Sequence, residues 1–143
     1  MEGNANGPEQ LQLFLKQREP NEYEELRQFY EGFYVTTESV KILADACRNP
    51  DWRLPLAHAG FLSLIRDLPS DIPDRDLSQQ ILRFVANCCA DNNENRDQVL
   101  NDLDKLSACL RDDHLFDFAV VALNNICNEY GKISFVSPLL HAC

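Results

Sequence analysis

Between Leu77 and Leu110 the sequence runs LSQQILRFVANCCADNNENRDQVLNDLDKLSACL. Leu82, Val85, Ala86 and Cys89 recur at helical spacing, so on a helix they share one apolar face. Asn92-Asn93-Glu94-Asn95 interrupts that pattern, because short amide and carboxylate side chains bond to nearby backbone and compete with a helix interior. Val99, Leu103, Leu106 and Leu110 then restore an apolar stripe. A helix, a polar corner and a second helix with one oily side cannot bury that side alone, so such a unit folds only against others of its kind.

The chain supplies them. Leu43-Ala44-Asp45-Ala46-Cys47, Val85-Ala86-Asn87-Cys88-Cys89 and Leu123-Asn124-Asn125-Ile126-Cys127 superimpose so that Cys47, Cys89 and Cys127 align. Asp45, Asn87 and Asn125 then form a second column two positions earlier. A period of about 40 residues in a helical chain is the length of an armadillo or HEAT unit. The expected fold is all-α, an armadillo/HEAT-like right-handed α-solenoid of about three repeats. The third copy is cut short, and the last residues do not supply the polar closing repeat a solenoid needs, so the expectation is a truncated fragment, an isoform end or an end covered by a partner.

Composition agrees with one domain. The chain has 143 residues, 45% of them hydrophobic, with 5 glycines, which disfavours an extended sheet and allows a sizeable core. No apolar run reaches the roughly 20 residues of a membrane span. Met1 to Gln10 is polar and acidic rather than a secretory signal. The reading is a cytoplasmic protein that does not insert into membrane. A net charge of -10 repels nucleic-acid phosphates and favours basic partners, although acidity also serves solubility alone. Cys47, Cys88, Cys89 and Cys127 fall inside helices; neighbouring Cys88 and Cys89 point about 100° apart, and no Cys-x-x-Cys occurs, so these thiols read as small buried hydrophobes.

Along the chain, residues 1–8 read as a flexible N-terminus and 9–35 as cap-like N-terminal helices. In the latter, Leu11, Phe14 and Leu15 lie on one face, Asn21 caps a second helix, and Tyr23, Leu26, Tyr30 and Phe33 point inward. Residues 36–131 hold the repeats. Thr37 caps the first inner helix, Trp52 to Ile65 form one region with Pro55 near its start, and Asp76 or Ser78 caps the central helix. Leu115 to Tyr130 form the third inner helix, which Gly131 ends. Residues 132–143 are a tail; its apolar stretch Ile133 to Leu140 is a candidate for self-association.

Asp91-Asn92-Asn93-Glu94-Asn95-Arg96 resembles the corner of armadillo repeats, and Ala122 to Cys127 resembles the helix that carries that family's asparagine. The wording from Ala86 to Arg96 is most similar to the Smg GDP dissociation stimulator family, with the likeness running from about Val40 to Tyr130. Two departures stand against it: Asp102-Leu103 replaces the usual Ala-Gly, and the pattern ends after Tyr130. The resemblance implies a module that binds Ras- and Rho-type small GTPases carrying basic, often prenylated tails.

It also implies a groove lined by the third helix of each repeat. Counting by four from the aligned column gives Lys41, Asp45 and Asn49; Arg83, Asn87 and Asp91; and Val121, Asn125 and Glu129. On this reading the asparagines bond an extended peptide backbone, an amide being both donor and acceptor. The carboxylates Asp45, Asp91 and Glu129 then hold Lys or Arg of a polybasic tail. The competing reading is that each Asn ties adjacent helices. No catalytic residue, cofactor or metal is expected: His58, His114 and His141 have no ligand spacing, there is no phosphate loop, and Cys109 near His114 reads as core beside a loop. Nucleotide exchange, if present, needs no catalytic side chain, only tighter binding to one GTPase state. A general peptide adaptor and a self-associating cap are the alternatives.

Overall fold

The computed structural model describes residues 6–68 and 74–128. Over these residues it contains eight α-helices, three 3-10 segments and a single isolated β-bridge, Asn6 to Phe33. Helix α1 is Pro8–Gln17 and α2 is Tyr23–Glu31. Helices α3 and α4 are Thr37–Ala46 and Pro50–Ala59; a 3-10 turn, Phe61–Asp67, follows. Helix α5 is Arg75–Cys89, α6 is Asn93–Val99, α7 is Leu103–Ala108 and α8 is Phe116–Asn128.

Local chemistry sets the starts. The Thr36 hydroxyl accepts from the Ser39 N–H at 3.0 Å while Ser39 Oγ accepts from the Thr36 N–H at 3.0 Å, which satisfies two free amides at the head of α3. Asn49, Asp74 and Asn92 cap α4, α5 and α6 through Asp51, Leu77 and Asn95, each at 3.0 Å. These findings move three expected caps. The cap of α3 is Thr36 rather than Thr37, that of α5 is Asp74 rather than Asp76 or Ser78, and α2 starts at Tyr23 after Glu22 rather than at Asn21. Asn6 donates its Nδ2 to the Phe29 carbonyl at 2.7 Å, near the end of α2.

Two apolar stretches divide more than their periodicity indicates. The region from Trp52 to Ile65 splits at Gly60, whose φ of +120 only glycine adopts readily. A Cβ there would lie 2.7 Å from the Tyr30 ring. Pro55 sits inside α4, not at its first turn. The stripe Val99, Leu103, Leu106 and Leu110 spans α6, a 3-10 turn, α7 and another 3-10 turn, Cys109–Arg111, instead of one helix.

Helix α5 is the hub. It packs on α3 along one side and α8 along the other, with α4 and the 3-10 turn at Phe61 beneath. Ile81, Leu82, Phe84, Val85, Cys88 and Cys89 are therefore all buried, more of its circumference than a one-sided stripe would be. The N-terminal helices join the same core through Leu11, Leu26 and Phe29, and Phe61 closes a cluster with Tyr30 and Phe33, ring centroids 4.9 and 5.0 Å away. Tyr23, expected to point inward, is 53% exposed, and Phe29 takes the inward place on α2.

Five cysteines among the described residues are free and buried. Burial pushes the Cys89 thiol up to about 12 and that of Cys109 up to about 11. A folded thiol that stays neutral while its unfolded counterpart ionises near 9.0 stabilises the fold below that pH and ceases to do so as pH rises toward the folded value. Unfolding stability measured in urea should fall above about pH 9, by about 1.4 kcal/mol per pH unit for each such thiol. Phe84→Ala, at a fully buried site, should cost about 3–5 kcal/mol in the same assay.

Candidate partner-binding face

Helices α3, α5 and α8 lie side by side in that order, and their exposed sides carry most of the residues expected to line a groove. Asn87 Nδ2 donates to the Ala44 carbonyl of α3 at 2.8 Å, and Asn125 Nδ2 donates to the Ala86 carbonyl of α5 at 2.8 Å. Ala44 immediately precedes Asp45 and Ala86 immediately precedes Asn87, so the aligned column of the sequence is a spatial register. Each asparagine reaches to the same point on the helix before it. The amide nitrogen is thereby used in tying helices together, which was the competing reading. Both residues are half-buried, and among the described residues neither Oδ1 has a hydrogen-bond partner. What remains on each is the Oδ1 acceptor and the second amide hydrogen.

Asp45 is exposed but not free. Its Oδ1 lies 2.8 Å from Arg83 Nη2 and 3.8 Å from Arg48 Nη2, while Arg83 also donates to Gln80 Oε1 at 2.6 Å. The carboxylate expected to hold a basic tail is thus matched by the chain's own guanidinium. Such an exposed pair contributes at most about 1 kcal/mol and can exchange partners. Lys41 stands exposed on α3, and Val121 is 53% exposed on α8.

Two expected groove residues lie elsewhere for a backbone reason. Helix α3 ends at Ala46, so Asn49 has left it and caps α4 instead. Helix α5 ends at Cys89, and Asp91 follows in the left-handed region with φ 53, which takes it off the helix face. Counting by four continues a helix past its physical end. Glu129 lies outside the described residues.

The periodicity also passed over the residues that join the rows. Arg53 of α4 donates through Nε to the Cys47 carbonyl at 2.8 Å, through Nη1 to the Ala90 carbonyl at 3.1 Å, and through Nη2 to the Arg48 carbonyl at 3.4 Å. It thereby covers the C-terminal ends of both α3 and α5, where carbonyls lack helical donors. Arg96 of α6 does the corresponding work on α8, with Nε 2.7 Å from the Asn125 carbonyl. Asn95, fully buried, spends both amide hydrogens on the carbonyls of Arg53 and Cys88, at 2.9 and 2.8 Å. A signal for Arg53 exists in the sequence: Asn49-Pro50-Asp51-Trp52-Arg53 and Asn92-Asn93-Glu94-Asn95-Arg96 both place an arginine four residues after a capping asparagine.

Arg53→Ala should destabilise the chain by about 1–3 kcal/mol, because part-buried carbonyls at two helix ends lose a charged donor, and Asn87→Ala by about 1 kcal/mol. Chemical denaturation measures both, and equal stability of wild type and Arg53→Ala would contradict the bridging role.

A family model described as the BEM4 N-terminal domain matches residues 9–136, from the first turn of α1 past the end of α8. No curated protein and no solved structure matches the chain. With the match spanning nearly the whole sequence, the chain belongs to the BEM4 N-terminal domain family.

Proposed function

We propose that this chain is a protein-binding module of armadillo/HEAT-like, right-handed solenoid form, whose inner face on α3, α5 and α8 takes up a donor-rich segment of a small GTPase of the Ras or Rho type. The observation that carries the reading is the register of Asn87 and Asn125 on successive helices, each with one amide hydrogen bonded to the helix before it and its Oδ1 left over. A row of unpartnered acceptors suits a partner that brings N–H groups: a basic tail or the amide edge of an extended peptide. The net charge of -10 adds long-range attraction for a basic tail. The likeness of Ala86 to Arg96 to the Smg GDP dissociation stimulator family supports the GTPase as the tail's owner, and membership of the BEM4 N-terminal domain family fits a protein-interaction role. Regulation, by exchange or by chaperoning the tail, would follow from unequal affinity for the GTPase's states and needs no catalytic group. The setting proposed is the cytoplasm; no helix among the described residues is long and apolar enough to cross a membrane.

One observation favours the general adaptor. Asp45 is already neutralised by Arg83, which leaves this face less acidic than the chain as a whole. An uncharged extended peptide would then serve as well as a basic one.

Titration of the full chain with a basic-tailed Rho-type GTPase and with its tail-deleted form separates the two. The GTPase reading expects at least a tenfold loss of affinity on tail deletion, weakening further with salt. Equal binding of both forms favours the adaptor, and no binding of either at low salt defeats the GTPase proposal. Asn87→Asp, which exchanges the donor for charge, should lower stability yet tighten binding to the basic tail, whereas Asn87→Ala should lower both.

A further inference from the structure

Cys47 and Cys88 stand apart from the other thiols of the chain. Their sulfurs are 3.4 Å apart, across the boundary between the end of α3 and the last turn of α5. Both are fully buried, and among the described residues no other pair of sulfurs is in contact. Cys47 is the C-cap of α3, where the backbone is already leaving the helix, so its side chain is less constrained than one in mid-helix. Cys88 Sγ also lies 3.5 Å from the Arg53 carbonyl.

We propose that Cys47 and Cys88 are a redox pair that closes into a reversible disulfide, stapling the end of α3 to α5. A disulfide bond is about 2.05 Å long, so the sulfurs need only a small approach, which the cap residue can supply. The step requires a two-electron thiol oxidant, such as a diazenedicarboxamide. One sulfur, as thiolate, adds to the N=N bond; the second displaces the nitrogen adduct. Two S–H bonds are lost and one S–S bond forms, while the two electrons and two protons reduce the diazene to a hydrazine. A dithiol reductant reverses the change by exchange.

Access controls the rate. Burial holds the Cys88 thiol well above its ordinary value, so the reactive thiolate is scarce while the site is shut. Arg53 grips the carbonyls of Cys47 and Arg48 and so holds the backbone beside the pair. The proposal therefore also expects Arg53→Gln, or mild urea below the unfolding transition, to speed the reaction several-fold without changing which cysteines join.

The experiment treats the full chain at low concentration with the diazenedicarboxamide, counts thiols, and maps tryptic peptides. The expected result is a fall from six titratable thiols to four and a link between Ile42–Arg48 and Phe84–Arg96, reversed by dithiothreitol. Cys89→Ser should keep the link, while Cys88→Ser and Cys47→Ser each abolish it. A folded chain that keeps all its thiols under conditions that oxidise the urea-unfolded chain would overturn the proposal. So would a link that survives Cys88→Ser, or loss of thiols only between molecules. The outcome is independent of whether the α3, α5 and α8 face binds a GTPase.

Discussion

The arrangement depends on side chains that reach from one helix to the backbone of another. Hydrophobic burial drives α3, α5 and α8 together but does not fix how far one slides along the next, since apolar contacts are nearly non-directional. A hydrogen bond from Asn87 to the Ala44 carbonyl fixes one such offset, and the same bond from Asn125 to the Ala86 carbonyl fixes the next. Arg53 then holds α4 against the ends of α3 and α5, and Arg96 holds α6 against α8. The shared exposed face is a by-product of these offsets. Its acceptors line up because the same joint is used twice.

That economy also limits what the face can do. An amide carries two hydrogens, and Asn87 and Asn125 each spend one on the helix before it, which leaves Oδ1 and a single N–H on each for another group. Packing thus uses part of the face's hydrogen-bonding capacity. The pairing of Asp45 with Arg83 narrows it further by removing a negative charge that a count of acidic residues would have placed there.

Much of this was legible in the sequence. The columns Asp45, Asn87 and Asn125 and Cys47, Cys89 and Cys127 follow from spacing alone, and burial of Leu82, Val85 and Cys89 follows from helical periodicity. What spacing does not carry is where a helix stops. Asn49 and Asp91 fell on the projected face only because the projection ran on past Ala46 and Cys89. Competition between neighbouring caps decided Thr36 over Thr37, and Asp74 over Asp76, and a single hydrogen bond settles each case. The role of Arg53 required knowing which carbonyls the helix ends leave open. The contact of Cys47 with Cys88, rather than with its aligned counterpart Cys89, required knowing the rotation of α5 against α3.

The Arg53 joint has one more property. The groups that Arg53 bonds here are backbone carbonyls, which do not titrate. A lysine or histidine at the same place would loosen or tighten with its surroundings, and a carboxylate partner would let go in acid. The bonds by which Arg53 ties α4 to the ends of α3 and α5 therefore involve no titrating acceptor, unlike the pairs Asp45–Arg83 and His58–Glu94 that also join helices.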